Sequence, residues 1–222
     1  MKSKRIEIIL LIVVLFIAVA ANEAPLAYDQ KSGKGVFWYP PIYPRSLGAY
    51  DGWVLETGEF TNVGGTVDTI SPVVNIGDDA LRKQYRAFLT FNTAAYHIPP
   101  TAVIANAVIR MRLQGIVGVN PFPTFDNMIV DMKKPSFGTG PLLSADFQDL
   151  PGRSYVAYFV PVGAGWYKAV LNPTGKAYLN KTGPTQFRIY FKLGDDNDSV
   201  ADYMRFFSGN ATLFSVRPKL EI

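Results

Sequence analysis

Residues 103–113, VIANAVIRMRL, carry the pattern that decides the fold class. Apolar side chains recur at every second position, and polar ones such as Arg110 and Arg112 fall between them. A period of two places alternate side chains on opposite faces of a β-strand, whereas a helix gives a period near 3.6. The stretch therefore predicts a strand with one buried face and one polar face.

The same alternation recurs along the chain from Trp53 onward, in short runs separated by Gly, Pro, Asn and Asp. Further strands are predicted near residues 53–60, 67–76, 85–92, 128–133, 155–160, 165–171, 186–193, 203–208 and 216–222. Only residues 173–180 indicate a helix, with Asn172 as its N-cap and Pro173 at its first position. About ten short strands predict an all-β fold, an antiparallel β-sandwich of the jelly-roll type.

The N-terminus has the features of a secretory signal. Three basic residues precede an apolar run of 14 residues, 8–21, which is shorter than a bilayer span. Residues 18–20, Ala-Val-Ala, fit a signal-peptidase site. We expect residues 1–20 to be removed and the protein to be extracellular or at the cell surface, with no membrane attachment afterwards; the alternative is a retained anchor.

Residues 21–50 are predicted to form a proline- and aromatic-rich arm that precedes the domain over 51–222. The formal net charge of +4 falls to +2 when the signal, with three basic residues and one acidic residue, is removed. No basic run interleaved with aromatic residues follows, so we do not expect nucleic acid as a partner. The chain has no cysteine, so an exported domain is expected to be stabilised by packing or by a bound ion instead of disulfides.

Several segments resemble the DNRLRE-type domain of exported bacterial proteins. They follow one another in the family's order: residues 51–56 (DGWVLE), 62–65 (NVGG), 85–91 (YRAFLTF), 98–104 (IPPTAVI), 201–210 (ADYMRFFSGN) and 217–222 (RPKLEI). The resemblance covers roughly residues 51–222. It implies a jelly roll like that of carbohydrate-binding modules, export, and attachment to polysaccharide or a cell surface without catalysis. Such domains usually accompany an enzyme, and this sequence contains none.

The densest polar cluster lies in residues 195–202, which we call the acidic loop. Its oxygen ligands are supplied by Asp195, Asp196, Asn197, Asp198 and Asp202. Hard oxygen ligands at this density suit Ca²⁺, although the spacing is not that of an EF-hand. The sequence therefore predicts a structural Ca²⁺ site, with a solvated acidic turn as the alternative. A second acidic turn at Asp78 could approach the loop.

Aromatic side chains are the candidate platform for sugars. The candidates are Trp38, Tyr39, Tyr43, Trp166 and Tyr190. Trp53 and Trp166 lie in predicted strands, where packing in the core is the alternative. Tyr190 shares the polar face of its strand with Gln186, Arg188 and Lys192. This face is expected to be solvated or to bind a ligand.

Catalytic motifs are missing from the sequence. The single histidine, His97, precedes Ile98-Pro99 in a predicted loop, and no G-x-S-x-G motif accompanies it. Multi-histidine and cysteine metal sites are excluded by composition. We expect a non-catalytic module that binds polysaccharide or a cell-surface glycan. The alternatives are an enzyme and a structural or adhesive matrix subunit, a homo-oligomer assembled through the arm.

Overall fold

The computed structural model describes residues 27–28, 35–36 and 39–222 of the chain. The predicted signal at residues 1–20 lies outside the described residues. The chain divides into two units, Met1–Pro40 and Pro41–Ile222. In the first unit, strand β1 (Ala27–Tyr28) pairs antiparallel with β2 (Gly35–Val36). The described residues contain no helix with both the length and the apolar character needed to cross a membrane.

The second unit is built almost entirely of strands. They are β3 (Gly52–Glu56), β4 (Gly64–Asp68), β5 (Val73–Asp78), β6 (Gln84–Asn92), β7 (Val108–Val117), β8 (Met128–Lys133), β9 (Arg153–Gly163), β10 (Trp166–Val170), β11 (Pro184–Phe191), β12 (Tyr203–Phe207) and β13 (Lys219–Glu221). The α-helix α1 (Pro173–Tyr178) and four 3-10 turns, Gly48–Tyr50, Ala94–Tyr96, Ser144–Phe147 and Phe214–Val216, complete the elements.

All strand pairs are antiparallel, and eight strands close into a ring. Its order is β11-β8-β9-β10-β7-β12-β5-β6, and β6 pairs back with β11. Closure is achieved because the nine-residue β6 pairs with β5 at its start and with β11 over the rest of its length. Outside the ring, β3 pairs with β6 and also with β4, and β13 pairs with β7. The all-β antiparallel prediction is confirmed, but the pairing gives a closed barrel instead of two separate stacked sheets.

The deciding stretch forms a strand that begins later than its pattern predicts. β7 starts at Val108, and Val103 is 90% exposed. Beyond that point the alternation holds, because Ile109 and Met111 are fully buried while Arg112 is exposed. The helix prediction is confirmed: the Asn172 side chain accepts a hydrogen bond from the Gly175 amide at 2.8 Å, and Pro173 occupies the first turn.

The barrel interior is filled by aromatic and aliphatic side chains. Edge-to-face pairs such as Phe91–Phe187, with ring centroids 5.8 Å apart, join strands across the core. Tyr167 and Phe206 form another pair at 5.2 Å. Such pairs contribute beyond the apolar area they bury. This packing supplies the stability that a chain without disulfides requires.

Residues 42–47 belong to the barrel and not to a free arm. Ile42 and Ile222 each donate a backbone hydrogen bond to the other, at 2.9 and 3.0 Å. Arg45 pairs with Lys219 of β13, and the Leu47 amide donates to Thr90 of β6 at 2.8 Å. The compact unit therefore starts at Pro41 and not at residue 51.

Candidate functional site

The outward side chains of β6, β8 and β11 form what we call the covered face. A second apolar cluster lies on it, where Phe137, Leu142 and Phe147 pack on Phe88 of β6 and Val54 of β3. Phe88 and Phe137 meet edge to face at 5.6 Å. Residues 137–149 therefore shield the outside of these strands from water.

Arg188 is the centre of the polar part of the covered face. Its guanidinium donates to the carbonyl oxygens of Phe147 and Asp149 at 2.9 and 2.8 Å. It also pairs with the buried Asp131 carboxylate at 2.8 Å. The residue is 4% exposed. Because Arg188 binds the main chain of the covering segment, it fixes that segment to the barrel.

A second arginine and Tyr190 complete this polar network. The Arg86 guanidinium lies over the Phe147 ring at 3.8 Å and donates to the Phe147 carbonyl at 2.7 Å. Burial, with the nearby charge of Arg188, lowers the pKa of Arg86 to about 10. The Tyr190 hydroxyl donates to Asp131 at 3.1 Å, and burial and that carboxylate raise its pKa. Tyr190 therefore packs within the fold and not on a free platform.

The prediction of a solvated or ligand-binding polar face on β11 is wrong for its central residues. Gln186 and Arg188 are buried, and Gln186 accepts a hydrogen bond from the Phe137 amide at 2.9 Å. Lys192, beyond the end of β11, is exposed and pairs with Asp126 at 3.0 Å. The covering segment removes this face from solvent.

The outward side chains of β9, β10, β7, β13 and residues 43–45 form what we call the open face. Tyr167 and Ala169 point into the core, so their neighbours on β10 point outward. The same alternation on the other strands gives an open face of Tyr158, Val160, Trp166, Lys168, Val170, Arg110, Arg112, Lys219, Glu221, Tyr43 and Arg45. Arg45 is the residue of this set that a neighbouring segment holds: it donates to the Arg217 carbonyl at 2.8 Å and lies 4.9 Å from the centre of the Phe214 ring. The other described residues of the open face have no recorded contact with a covering segment like that over Arg188.

Four basic side chains form a row of cations across the open face. In the strand register Lys168 of β10 lies opposite Arg110 of β7, and Arg110 lies opposite Lys219 of β13. Lys219 in turn lies opposite Arg45, which joins β13 through an isolated bridge. Strands lie about 4.8 Å apart, so the row spans roughly 14 Å. Like charges directly opposite one another destabilise a sheet. An arrangement that costs stability in the free protein is favourable when an anionic ligand lies along the row.

One carboxylate on this face offsets part of the charge. Glu221 pairs with Arg110 at 2.8 Å and with Lys219 at 2.8 Å. Burial opposes ionisation, but the hydrogen bonds from Lys219 and Arg110 prevail and lower the pKa of Glu221. The face as defined carries five cations, Arg112 included, against this single anion, and it is therefore strongly basic.

Aromatic rings flank the row of cations. Tyr158 is 60% exposed and Tyr43 is 49% exposed. Trp166 points outward with Arg112 over its ring at 5.9 Å, so the core alternative for Trp166 is wrong. Trp53, in contrast, packs on the core. Tyr39 is exposed in the first unit, and Trp38 lies outside the described residues.

The acidic loop brings three of its predicted ligands together. Ligand oxygens of Asp196, Asp198 and Asp202 all lie within 4.8 Å of one another. Asp195 and Asn197 have other partners: Asp195 accepts from the Asn197 amide at 2.9 Å, and the Asn197 side chain accepts from Arg82 at 2.9 Å. Partial desolvation, together with charge repulsion from Asp198 and Asp202, raises the pKa of Asp196.

Asp78 reaches the acidic loop from the end of β5. Its Oδ1 accepts from the Asp202 amide at 3.1 Å, and its own amide donates to the Asp202 carbonyl at 3.0 Å. Asp78 is fully buried, and its Oδ2 atom has no hydrogen-bond partner. Burial, together with the charges of Asp196, Asp202 and Asp195, raises the pKa of Asp78 to about 7.

Sequence reasoning missed the row of cations and Tyr158. The cations come from segments far apart in the chain, so no window of sequence contains a basic run. The alternation in 103–113 did place Arg110 and Arg112 on one face, and that was the available signal. His97, expected in a loop, is exposed after the 3-10 turn at Ala94–Tyr96.

Comparisons with protein families and with curated proteins found no match for this chain.

Proposed function

We propose that this protein is an exported, non-catalytic module that attaches to an anionic polysaccharide through the open face. The observation that carries the proposal is the row formed by Lys168, Arg110, Lys219 and Arg45. A polymer of uronic or sulfated sugars presents anions at regular intervals along an extended chain. Such a chain can lie across the strands and pair with successive cations.

The aromatic rings beside the row supply the second element of sugar recognition. Tyr158 and Trp166 offer apolar ring faces at one end, and Tyr43 offers one at the other. Aromatic side chains combine a large apolar area with little conformational freedom to lose on binding. Rings and cations together favour a charged sugar polymer over a neutral one. The resemblance to DNRLRE-type domains and the secretory signal belong to this proposal and agree with it.

Binding of polygalacturonate and of neutral xylan to the exported protein tests the proposal. We expect polygalacturonate to be retained and xylan not. Replacing Lys168 and Arg112 together by glutamine should weaken retention by between about twofold and thirtyfold at low salt, because each lost charge pair contributes about 0.2–1 kcal/mol there. Added salt should reduce that difference by screening. Trp166→Ala should weaken retention at every salt concentration.

Lys192→Gln is the matched control, because Lys192 is an exposed cation outside the open face. It should bind like the parent protein. Equal binding of xylan and polygalacturonate would contradict the proposal, as would tighter binding of single-stranded DNA than of any polysaccharide. A structural or adhesive subunit would instead be a stable oligomer in size-exclusion chromatography and become monomeric when residues 21–40 are deleted.

A further inference from the structure

The buried carboxylate of Asp78 changes the interpretation of the acidic loop. An exposed cluster of aspartates needs no ion, because water solvates the charges. Asp78, however, is fully buried, and its Oδ2 has no hydrogen-bond partner. A buried carboxylate oxygen that has no hydrogen-bond partner is costly unless a cation lies near it.

The carboxylate of Asp78 faces the loop. Its Oδ1 is bound to the Asp202 amide, and Asp196, Asp202 and Asp195 are the charges that act on it most strongly. The nearby basic side chains form their ion pairs with other carboxylates, and Arg82 contacts the loop through the amide oxygen of Asn197 at 2.9 Å. Arg82 pairs with Glu59, and Lys83 pairs with Asp79 at 3.1 Å.

The loop is also held in place from a third segment. The Val119 amide donates to Asp202 Oδ1 at 2.6 Å. Gly118 has φ 69° and allows this approach, since a Cβ atom there would overlap both Ala201 and Asp202. The ends of β5 and β7 therefore converge on Asp202, which is itself buried. A site fixed on strand ends is preorganised for an ion.

We propose that one Ca²⁺ binds between Asp196, Asp198 and Asp202, and that the buried carboxylate of Asp78, which accepts from the Asp202 amide, lies next to this site. The three clustered carboxylates supply ligand atoms within 4.8 Å of one another, and main-chain carbonyls and water complete the 6–8 oxygens that Ca²⁺ takes. The ion joins the loop to β5 and neutralises the buried charge. This inference goes beyond the proposed function, because the acidic loop is not part of the open face.

Calorimetric titration and thermal unfolding of the exported protein near pH 8 test the site. We expect one Ca²⁺ per chain. At 100 times the dissociation constant, Ca²⁺ should raise Tm by about 5–10 °C over the value in EDTA. Asp198→Asn should weaken Ca²⁺ affinity at least about tenfold, because ligand charge sets affinity in such sites. Asp198 is exposed, so this variant should fold.

Asp78→Asn supplies a second measurement that a solvated turn would not move. In EDTA the variant should melt above the parent, because the unpartnered buried charge is gone, and its response to Ca²⁺ should be smaller. Asp126→Asn is the control, since Asp126 pairs with Lys192 outside the loop. The proposal is overturned by identical Tm values in EDTA and Ca²⁺, by parent-like Ca²⁺ affinity of Asp198→Asn, or by an equal response to Mg²⁺. Polysaccharide binding measured in EDTA tests the proposed function without Ca²⁺. Failure of the Ca²⁺ site can therefore be distinguished from failure of the proposed function.

Discussion

The covered face and the open face are made of the same kinds of residue, yet they differ in what lies above them. On both, an arginine stands beside an aromatic ring at an outward position of an antiparallel strand. Arg188 is enclosed by carbonyl groups of residues 146–149, whereas Arg112 is exposed. The role of such a residue is therefore decided by the segment that covers the strand and not by the strand's own sequence.

The largest effect should come from Arg188→Ala. The substitution leaves Asp131 buried without its cation and removes one hydrogen bond from each of three carbonyl groups of the covering segment. Breaking a buried ion pair from one side costs about 3–5 kcal/mol, so we expect a loss of that order in the free energy of unfolding. Urea denaturation measures it.

Arg112→Ala is the matched variant on the open face. Because Arg112 is exposed and lies 5.9 Å from the centre of the Trp166 ring, its removal should change stability by no more than about 0.5 kcal/mol. Similar losses in the free energy of unfolding for Arg188→Ala and Arg112→Ala would show that the two faces do not differ in how they are covered.

Carboxylates next to the two faces should differ in how stability depends on pH. Asp51, fully buried beside the covered face, accepts from the Thr90 and Gly209 amides at 2.9 and 2.8 Å. Burial raises its pKa from 3.8 to about 7. The folded state therefore holds the extra proton between these values, and stability should fall as pH rises through that window, by up to about 1.4 kcal/mol per pH unit.

Unfolding free energies of the parent and Asp51→Asn, measured across the same window, isolate this contribution. The slope should be shallower in the variant. Glu221 on the open face has the opposite sign, since the pKa of Glu221 is lowered in the folded state. Its contribution is present above the unfolded pKa and is lost on acidification through the folded pKa, so Glu221→Gln should not change the slope near pH 6. Parallel pH profiles for the parent and Asp51→Asn would refute the assignment to Asp51.

The smallest effect concerns the row of cations. Lys168 lies directly opposite Arg110, so Lys168→Gln should relieve repulsion and stabilise the free protein by up to about 0.5 kcal/mol. The gain should shrink at high salt. Thermal unfolding at two salt concentrations, with Lys192→Gln as the control, measures it. A loss of stability at both salt concentrations would mean that the row is not strained in the free protein.

Alternation along single strands predicted much of the core, because side-chain direction in a strand is a local property. Phe187, Ile189 and Phe191 are buried as their spacing requires. The same spacing could not distinguish Arg188 from Arg112, since covering depends on residues 137–149, which are distant in sequence. Closure of the ring also escaped prediction, because it depends on how the length of β6 is shared between two partners.

The candidate sites were predictable to different degrees for the same reason. Asp196, Asp198 and Asp202 lie in one loop, so the sequence brings them together directly. Asp78 and the cations of the open face come from separate segments, and only strand register makes them neighbours. A pattern read in one window finds a loop site more readily than a site that spans a sheet.

The mutual hydrogen bonds of Ile42 and Ile222 have a consequence for the connectivity of the barrel. The two ends of the compact unit meet side by side on neighbouring strands, so a short peptide could join them without disturbing any strand pair. New termini could then be opened in an exposed loop, and chains whose ends are this close commonly tolerate such circular permutation. By the same geometry, the barrel could be inserted into a surface turn of another protein.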